Sequence, residues 1–205
     1  MIQRVQHISE IKRRLELYPI VAIIGARQVG KTTLARMISA DQEQEISFFD
    51  LENPADIARL SEPQLILEPL NGLVVLDEIQ RMPDLFPLLR VLADRNDRDT
   101  RFLILGSASP DLLRQSSESL AGRISYYELP GFSLQEVSED KGNDLWIRGG
   151  FPRSFLSPDA DTSYLWRMDF IKTYLERDLP MLGINIAPGT LRRFWTMLAH
   201  CHGQV

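Results

Sequence analysis

Short apolar runs alternate with segments of helical periodicity from the start of the chain to Gly131. Strand patterns occupy residues 19–24, 46–52, 73–76, 101–105 and 124–129. Most of these runs are apolar throughout, as is typical of strands buried on both faces of a sheet. Helical spacing occupies residues 4–18, 31–39 and 85–94, a short stretch opening at Asn53-Pro54, and a stretch capped by Ser109 that stops at Gly122. Strands separated by helices predict an α/β fold with a five-stranded parallel sheet sandwiched by helices.

The pattern changes after Gly131. No strand run follows, and apolar residues recur at steps of three and four over residues 162–179 and again over 190–201. This spacing predicts a small all-helical part behind the sheet domain. Because the last helix is apolar and no second layer follows to cover it, we expect the chain to stop inside a longer protein.

Composition narrows the class of protein. The 205 residues are 44% hydrophobic and 25% charged, as is ordinary for a globular chain. The longest apolar run, residues 19–24, is too short to cross a bilayer, and the first residues carry charges where a signal peptide needs an apolar stretch. Cys201 is the only cysteine, which excludes an internal disulfide and a multi-cysteine zinc site. We therefore expect a cytoplasmic protein without a membrane partner.

The distribution of charge is uneven. The net charge is −5, and this sign disfavours a non-specific nucleic-acid binder, which would show a basic excess. Residues 1–40, however, hold seven basic and two acidic side chains, a local balance of +5. A polyphosphate ligand would suit this segment, and charge alone leaves DNA open as a partner.

The strongest motif is GARQVGKT, from Gly25 to Thr32, which matches G-x-x-x-x-G-K-[ST] between a buried strand and the start of a helix. The glycines let backbone amides approach phosphate oxygens, and the helix N-terminus adds partial positive charge. Lys31 is expected to reach the β- and γ-phosphates, and the Thr32 hydroxyl to bind Mg²⁺. Arg27 inside the loop is expected to face solvent.

Polar side chains end two of the other predicted strands. Asp77 and Glu78 follow the run LVVL, at the edge of a parallel sheet where ligands bind. Asp77 is placed to hold the Mg²⁺ shell and Glu78 to polarise the attacking water, although a solvated strand end would have the same sequence. Ser107 follows the fourth strand and is a candidate contact to the γ-phosphate or the water, with simple turn chemistry as the alternative.

Three arginines are candidates for contacts to a transferring phosphoryl group. Arg123 precedes the fifth strand, from where it would act in its own or a neighbouring subunit, or would only interact with the end of a helix. Arg148 and Arg153 flank a Gly-Gly-Phe-Pro turn and are weaker candidates for closing over the nucleotide. His200 and His202 do not converge on a helix, so no metal site is expected there.

With these residues the chain resembles the AAA+-like ATPase domain of a large prokaryotic family of ATP-binding proteins that carry a C-terminal domain of unknown function. The resemblance rests on the segments GARQVGKTTLA, FFDLENP, LVVLDEIQRMPDLFPLLR, FLILGSASPDLL, SLAGR, YYELPGFSLQE, LWIRGGFPRSFL and YLERDLPMLGI. It implies that the nucleotide loop consists of Gly25, Ala26, Arg27, Gln28, Val29, Gly30, Lys31, Thr32 and Thr33. It further implies Thr32 and Asp77 at Mg²⁺, Glu78 as the water-activating residue, Ser107 as a sensor and Arg123 as an arginine finger.

The resemblance also implies an organisation and a function. Residues 1–131 would form the P-loop ATPase core, 132–189 a helical lid-like subdomain, and 190–205 the start of a truncated winged-helix-like segment. The activity would be Mg²⁺-dependent ATP hydrolysis in a switch that acts on a macromolecular client, with a homo-oligomer as the setting for Arg123. The alternatives are a non-hydrolysing nucleotide-binding interaction module and a P-loop kinase for a small molecule; Glu78 disfavours the kinase because it would waste ATP.

Overall fold

A computed structural model describes residues 2–40, 44–95, 99–107 and 110–203, with only the backbone described for 110–112. The strands are β1 (Ile20–Gly25), β2 (Ile46–Asp50), β3 (Gly72–Asp77), β4 (Thr100–Ser107) and β5 (Ile124–Glu128). The helices before and between the strands are α1 (Val5–Leu17), α2 (Lys31–Ala40), α3 (Pro54–Arg59), α4 (Pro63–Leu67), α5 (Leu85–Ala93) and α6 (Pro110–Ser119). Those after β5 are α7 (Gly142–Arg148), α8 (Pro152–Phe155), α9 (Ala160–Thr173), α10 (Leu179–Met181) and α11 (Pro188–Cys201).

The five strands form one parallel sheet in the order β2-β3-β4-β1-β5. Alternate residues of β1 enter two different cores. Ile20 and Ala22 pack on the face covered by α5, whereas Val21 and Ile23 pack on the face covered by α1 and α2. Both faces of the central strands are thus buried, whereas the edge strands β2 and β5 are mostly half-buried. This burial explains the apolar runs of the central strands, and the architecture confirms the predicted α/β sandwich.

The observed elements differ from the predicted ones mainly outside the sheet. Residues 162–179 were expected to form one regular helix, but α9 ends at Thr173 and a π-helical segment, Tyr174–Asp178, joins it to α10. The short helices α4, α7 and α8 have too few turns for a periodic pattern to reveal them. The expected cap Ser109 lies outside the described residues.

Within residues 132–203 the described regular elements are all helical, as predicted for the part after Gly131. None of the helices described in the structure has the length and apolar character needed to span a membrane.

Gly72 opens β3 in a conformation that a side chain would not tolerate. Its φ is +74°, and a Cβ there would overlap the carbonyl oxygen of Glu45, which accepts a hydrogen bond from Leu73 N at 2.9 Å. Gly72→Ala should therefore lower the free energy of unfolding by about 2 kcal/mol or more, since strain and overlap add.

The control for this prediction is Gly122→Ala. Gly122 has a similar φ of +76° but open space where its Cβ would lie, so only the conformational cost of about 1–2 kcal/mol applies. Denaturant unfolding of both variants measures the difference. Equal losses of stability would contradict the proposed steric conflict at Gly72.

Candidate functional site

The loop between β1 and α2 has a backbone shaped by close neighbours. The carbonyl of Leu129 would lie 2.6 Å from a Cβ at Gly25, because Leu129 N donates to Ile24 O across the β1–β5 pair at 2.8 Å. At the other end of the loop Gly30 has φ +99°, and between them Gln28 adopts φ +63°. The loop is thus held in a compact turn that leads directly into the N-terminus of α2, where backbone amides favour an anion.

Lys31 is buried beneath this turn. Its ammonium donates to the carbonyl oxygens of Gly25 at 3.1 Å and Ala26 at 3.0 Å. Burial lowers the pKa of Lys31, the carboxylates of Glu78 and Asp77 oppose that shift, and the nearby Arg27 adds to it. Among the described residues the acceptors of the ammonium are these two neutral carbonyls, and phosphate oxygens would offer it stronger, charge-assisted acceptors.

The Thr32 hydroxyl and the Asp77 carboxylate are joined by a hydrogen bond, in the residues that follow and neighbour Lys31. Asp77 is only 3% exposed, and its Oδ1 is a buried atom without a hydrogen-bond partner among the described residues. Burial raises the pKa of Asp77, while a hydrogen bond from the Thr32 hydroxyl lowers it in part. A buried carboxylate with an unsatisfied oxygen beside a hydroxyl is a donor set that fits Mg²⁺, a hard cation that also binds phosphate oxygens.

Glu78 leaves the end of β3 in an unusual backbone conformation. Its φ of +57° and ψ of +45° lie in the left-handed region, which costs a residue with a Cβ on the order of 1–3 kcal/mol. The 3₁₀ turn Ile79–Arg81 begins immediately afterwards, and the Gln80 amide donates to the Glu78 carboxylate. The turn holds this carboxylate beside Asp77, at the edge of the sheet that carries the loop.

Ser107 ends β4 at the same edge. The strand register places it opposite Gly25, the first residue of the loop, and β4 lies between β1 and β3. The tertiary structure thus brings Lys31, Thr32, Asp77, Glu78 and Ser107 together at the carboxyl ends of three neighbouring strands.

Arg123 lies at the opposite, amino edge of the sheet. Its carbonyl accepts a hydrogen bond from Ile20 N at 3.2 Å, at the beginning of β1, whereas the loop begins at Gly25. Six residues of strand separate the two edges by roughly 16 Å. The guanidinium pairs with both carboxylate oxygens of Asp94, at 2.6 and 2.8 Å, and this bond lowers the pKa of Asp94. Arg123 therefore does not reach the loop of its own chain, where its guanidinium instead pairs with Asp94.

Arg27 was expected to face solvent, but its side chain is largely shielded. Its Nη1 donates to Asp178 Oδ1 at 3.1 Å, and the two side chains are only 20% and 12% exposed. A second residue of the helical part, Pro152, also lies next to the loop. Its side chain is 3.6 Å from the position that a Cβ of Gly30 would occupy. The expectation failed because no sequence pattern shows that the segment around Asp178 folds back onto a loop about 150 residues earlier in the chain.

The other two arginines of the helical part have different surroundings. Arg148 donates to the carbonyl of Ser157 at 2.7 Å and lies 3.7 Å from Asp144, so it is engaged within the helical part. Arg153 is exposed on α8. Among the described residues neither of them forms a hydrogen bond or an ion pair with the loop.

Arg4 borders the loop but was not predicted. It is 4% exposed, pairs with Glu136 at 2.6 Å, and donates to the carbonyl oxygens of Pro130 at 2.8 Å and Val29 at 3.4 Å. Burial raises the pKa of Glu136, but hydrogen bonds from Arg4 and Ser133 outweigh it and hold that pKa below the usual value. A lone arginine before an amphipathic helix carries no sequence signal for this role, since its partners come from three distant segments.

The sheet is parallel, the phosphate loop follows β1, and Asp77 and Glu78 stand at the end of β3, with β4 between these two strands. This arrangement defines the class of P-loop NTPases. A family model described as "AAA domain" matches residues 17–138, and a model for a domain of unknown function (DUF8612) matches residues 139–205. The chain belongs to the AAA domain family. The expected combination of an AAA domain with a following domain of unknown function is confirmed.

Similar proteins agree with this assignment. The uncharacterized protein Rv2008c of Mycobacterium tuberculosis is 49% identical over all 205 residues, which cover 46% of that protein, so the chain spans about half the length of this relative. The Walker-type ATPase PABY2304 of Pyrococcus abyssi has a similar structure, with a TM-score of 0.61 at 16% identity over 89% of this chain and 75% of that one. The RuvB Holliday junction branch migration motor of Thermotoga maritima matches with a TM-score of 0.50 at 16% identity, over 93% and 85% of the two chains. At these identities the two solved structures show a shared fold.

Proposed function

We propose that the chain binds ATP together with Mg²⁺ and hydrolyses it, and that it works as an ATP-driven switch on a macromolecular client. The observation that carries this proposal is the buried Asp77 carboxylate, which accepts a hydrogen bond from the Thr32 hydroxyl, has a second oxygen without a partner among the described residues, and acts electrostatically on the Lys31 ammonium. A cation and a polyphosphate together would satisfy both groups. No other arrangement among the described residues combines a phosphate loop with such a buried carboxylate.

Each residue of the site has a separate task in this proposal. Lys31 exchanges its loop carbonyls for β- and γ-phosphate oxygens, and the amides at the start of α2 hold the β-phosphate. Thr32 and Asp77 hold Mg²⁺, which supplies charge neutralisation at the phosphates when bound. Glu78 orients a water molecule and accepts its proton, with the Gln80 amide holding the carboxylate in place. Ser107 contacts the γ-phosphate or the water from the neighbouring strand.

The helical part is assigned to regulation of this site. We propose residues 1–131 as the ATPase core, 132–189 as a lid-like subdomain and 190–205 as the beginning of a winged-helix-like segment. The contacts from Pro152 and Asp178 to the loop support a lid role. One protein of the same fold is named a Holliday junction branch migration motor, so DNA is the first client to test. The net charge of −5 favours a partner other than nucleic acid.

Lys31→Ala tests nucleotide binding. Loss of the ammonium leaves the phosphate charge matched only by backbone dipoles. A hydrogen bond to a charged group contributes about 1.5–3 kcal/mol, and about 1.4 kcal/mol corresponds to a tenfold change in Kd. The Kd for MgATP should therefore rise at least about tenfold. Isothermal calorimetry at fixed Mg²⁺ measures this. The matched control is Lys172→Ala, at an exposed lysine of α9. An unchanged Kd in Lys31→Ala would remove Lys31 from the site.

A further inference from the structure

The ion pair between Arg27 and Asp178 joins the phosphate loop to the segment between α9 and α10. Its N–O distance is 3.1 Å, and both side chains are largely shielded from solvent. Partly buried pairs are screened by salt much less than exposed ones, so this contact ties the two regions effectively. Asp178 Oδ1 also accepts a hydrogen bond from Arg177 Nε at 3.1 Å. The carboxylate would therefore keep a cationic partner if Arg27 turned away.

The segment that carries Asp178 is the irregular part of a long helical stretch. Residues Tyr174–Asp178 form a π-helical turn between α9 and α10. Such turns are rare and occur frequently at functional sites, since the extra residue changes the direction in which the following side chains point. Here the residue that closes the π turn is the one that contacts the loop. The irregularity and the contact are independent observations at the same place.

Arg27 lies close to the expected phosphate position. Its charge helps to lower the pKa of Lys31, the residue assigned to the β- and γ-phosphates, so the two cations share one electrostatic environment. Without a polyphosphate the Asp178 carboxylate offsets the positive charge of the loop. A bound polyphosphate would offer Arg27 stronger acceptors and would repel the Asp178 carboxylate. The carboxylate and the nucleotide therefore compete for the same cation.

The segment around Asp178 is coupled by packing to the end of the described chain. Leu175 and Leu179, on either side of Asp178, share a buried core with Leu191 of α11. Tyr174 also stacks on Trp195 of α11, with ring centroids 5.8 Å apart. A shift of the π-helical segment therefore moves α11, because close-packed side chains transmit displacement.

We propose that the Arg27–Asp178 pair is a nucleotide-sensing latch. It holds residues 174–182 against the phosphate loop and releases them when a nucleoside polyphosphate binds Arg27, and this release shifts α11 within the domain of unknown function. The latch rests on the proposed function, because its opening requires nucleotide binding at the loop. It gives the chain a route by which the loop signals to α11 without any change in the sheet.

The test compares Asp178→Asn with the parent chain by calorimetry and by hydrogen–deuterium exchange. In the parent, the Mg²⁺ complex of the non-hydrolysable analogue AMP-PNP should increase exchange in residues 174–182 and 188–201. Asp178→Asn should show the increased exchange without nucleotide and little further change with it. It should also bind the analogue roughly two- to fivefold more tightly, the size expected when a competing ion pair of this kind is absent.

Two further variants separate the latch from a local loss of helix stability. Arg27→Gln removes the same ion pair from the loop side and should also raise exchange in residues 174–182 without nucleotide. Glu176→Gln removes an exposed charge from the same π-helical segment and should behave as the parent. A nucleotide response in Asp178→Asn equal to that of the parent, or no effect of Arg27→Gln on this segment, overturns the latch.

The two proposals fail in distinguishable ways. A parent chain that does not bind Mg²⁺–AMP-PNP by calorimetry contradicts the proposed function and removes the basis of the latch. A parent chain that binds the analogue with unchanged exchange in residues 174–182 contradicts the latch alone.

Discussion

Arg123→Ala should lower kcat for ATP hydrolysis by about 10³-fold or more, the effect known for arginine fingers, while the affinity for ATP stays near the parental value. The physical reason is the position of Arg123 in the sheet. Arg123 lies before the edge strand β5, roughly 16 Å from its own loop, with its guanidinium accessible at the surface beside Asp94. In the proposed assembly it would neutralise charge on the γ-phosphate bound by a neighbouring subunit, and its pair with Asp94 is too exposed to hold it strongly.

Assembly gives this prediction a second readout. If a neighbour's Arg123 completes each site, the hydrolysis rate per subunit should rise with protein concentration in the parent and stay low in the variant. Arg90→Ala is the matched control, because Arg90 is an exposed arginine whose charge also acts on Asp94. A rate independent of concentration, together with full activity in Arg123→Ala, would leave Arg123 as a helix-end arginine.

Glu78→Gln should reduce turnover by roughly 10²-fold or more, the scale of general-base catalysis, and should leave ATP binding almost unchanged. Glutamine keeps the size of the side chain but cannot accept the proton of the attacking water. In the proposed site the phosphate contacts come from Lys31 and the amides of α2, and the substitution leaves these groups in place. Single-turnover measurement of ADP release, with no phosphate acceptor added, reads the chemical step directly.

Glu52→Gln serves as the control for Glu78→Gln, because Glu52 is an exposed glutamate just beyond β2, paired with Arg81 at 3.0 Å. Normal turnover in Glu78→Gln would place the base elsewhere, with Ser107 the next residue to test. A parent chain that binds ATP but releases no ADP would favour the non-hydrolysing module. Release that depends on an added small-molecule acceptor would favour the kinase.

The sheet and the phosphate loop were predictable because their signals are local. A strand buried on both faces must be apolar throughout, so β1 and β3 are visible as runs of such residues. A loop that wraps a phosphate needs glycines and a lysine at fixed spacing, so Gly25, Gly30 and Lys31 identify it. The roles of Asp77 and Glu78 were inferred from their place at the end of a strand and stay predictions, of which Glu78→Gln tests the second.

Contacts between distant segments were not predictable in the same way. The sequence by itself determined the strands, the loop chemistry and the helical character of the part after Gly131, since each depends on residues close together in the chain. Only the tertiary structure decided that Arg27 bonds to Asp178, that Arg4 supports Val29, and that Arg123 lies at the far edge of the sheet. Those partners are chosen by how the elements pack, and a charged side chain has no local pattern that reveals which distant carbonyl or carboxylate the fold will bring to it.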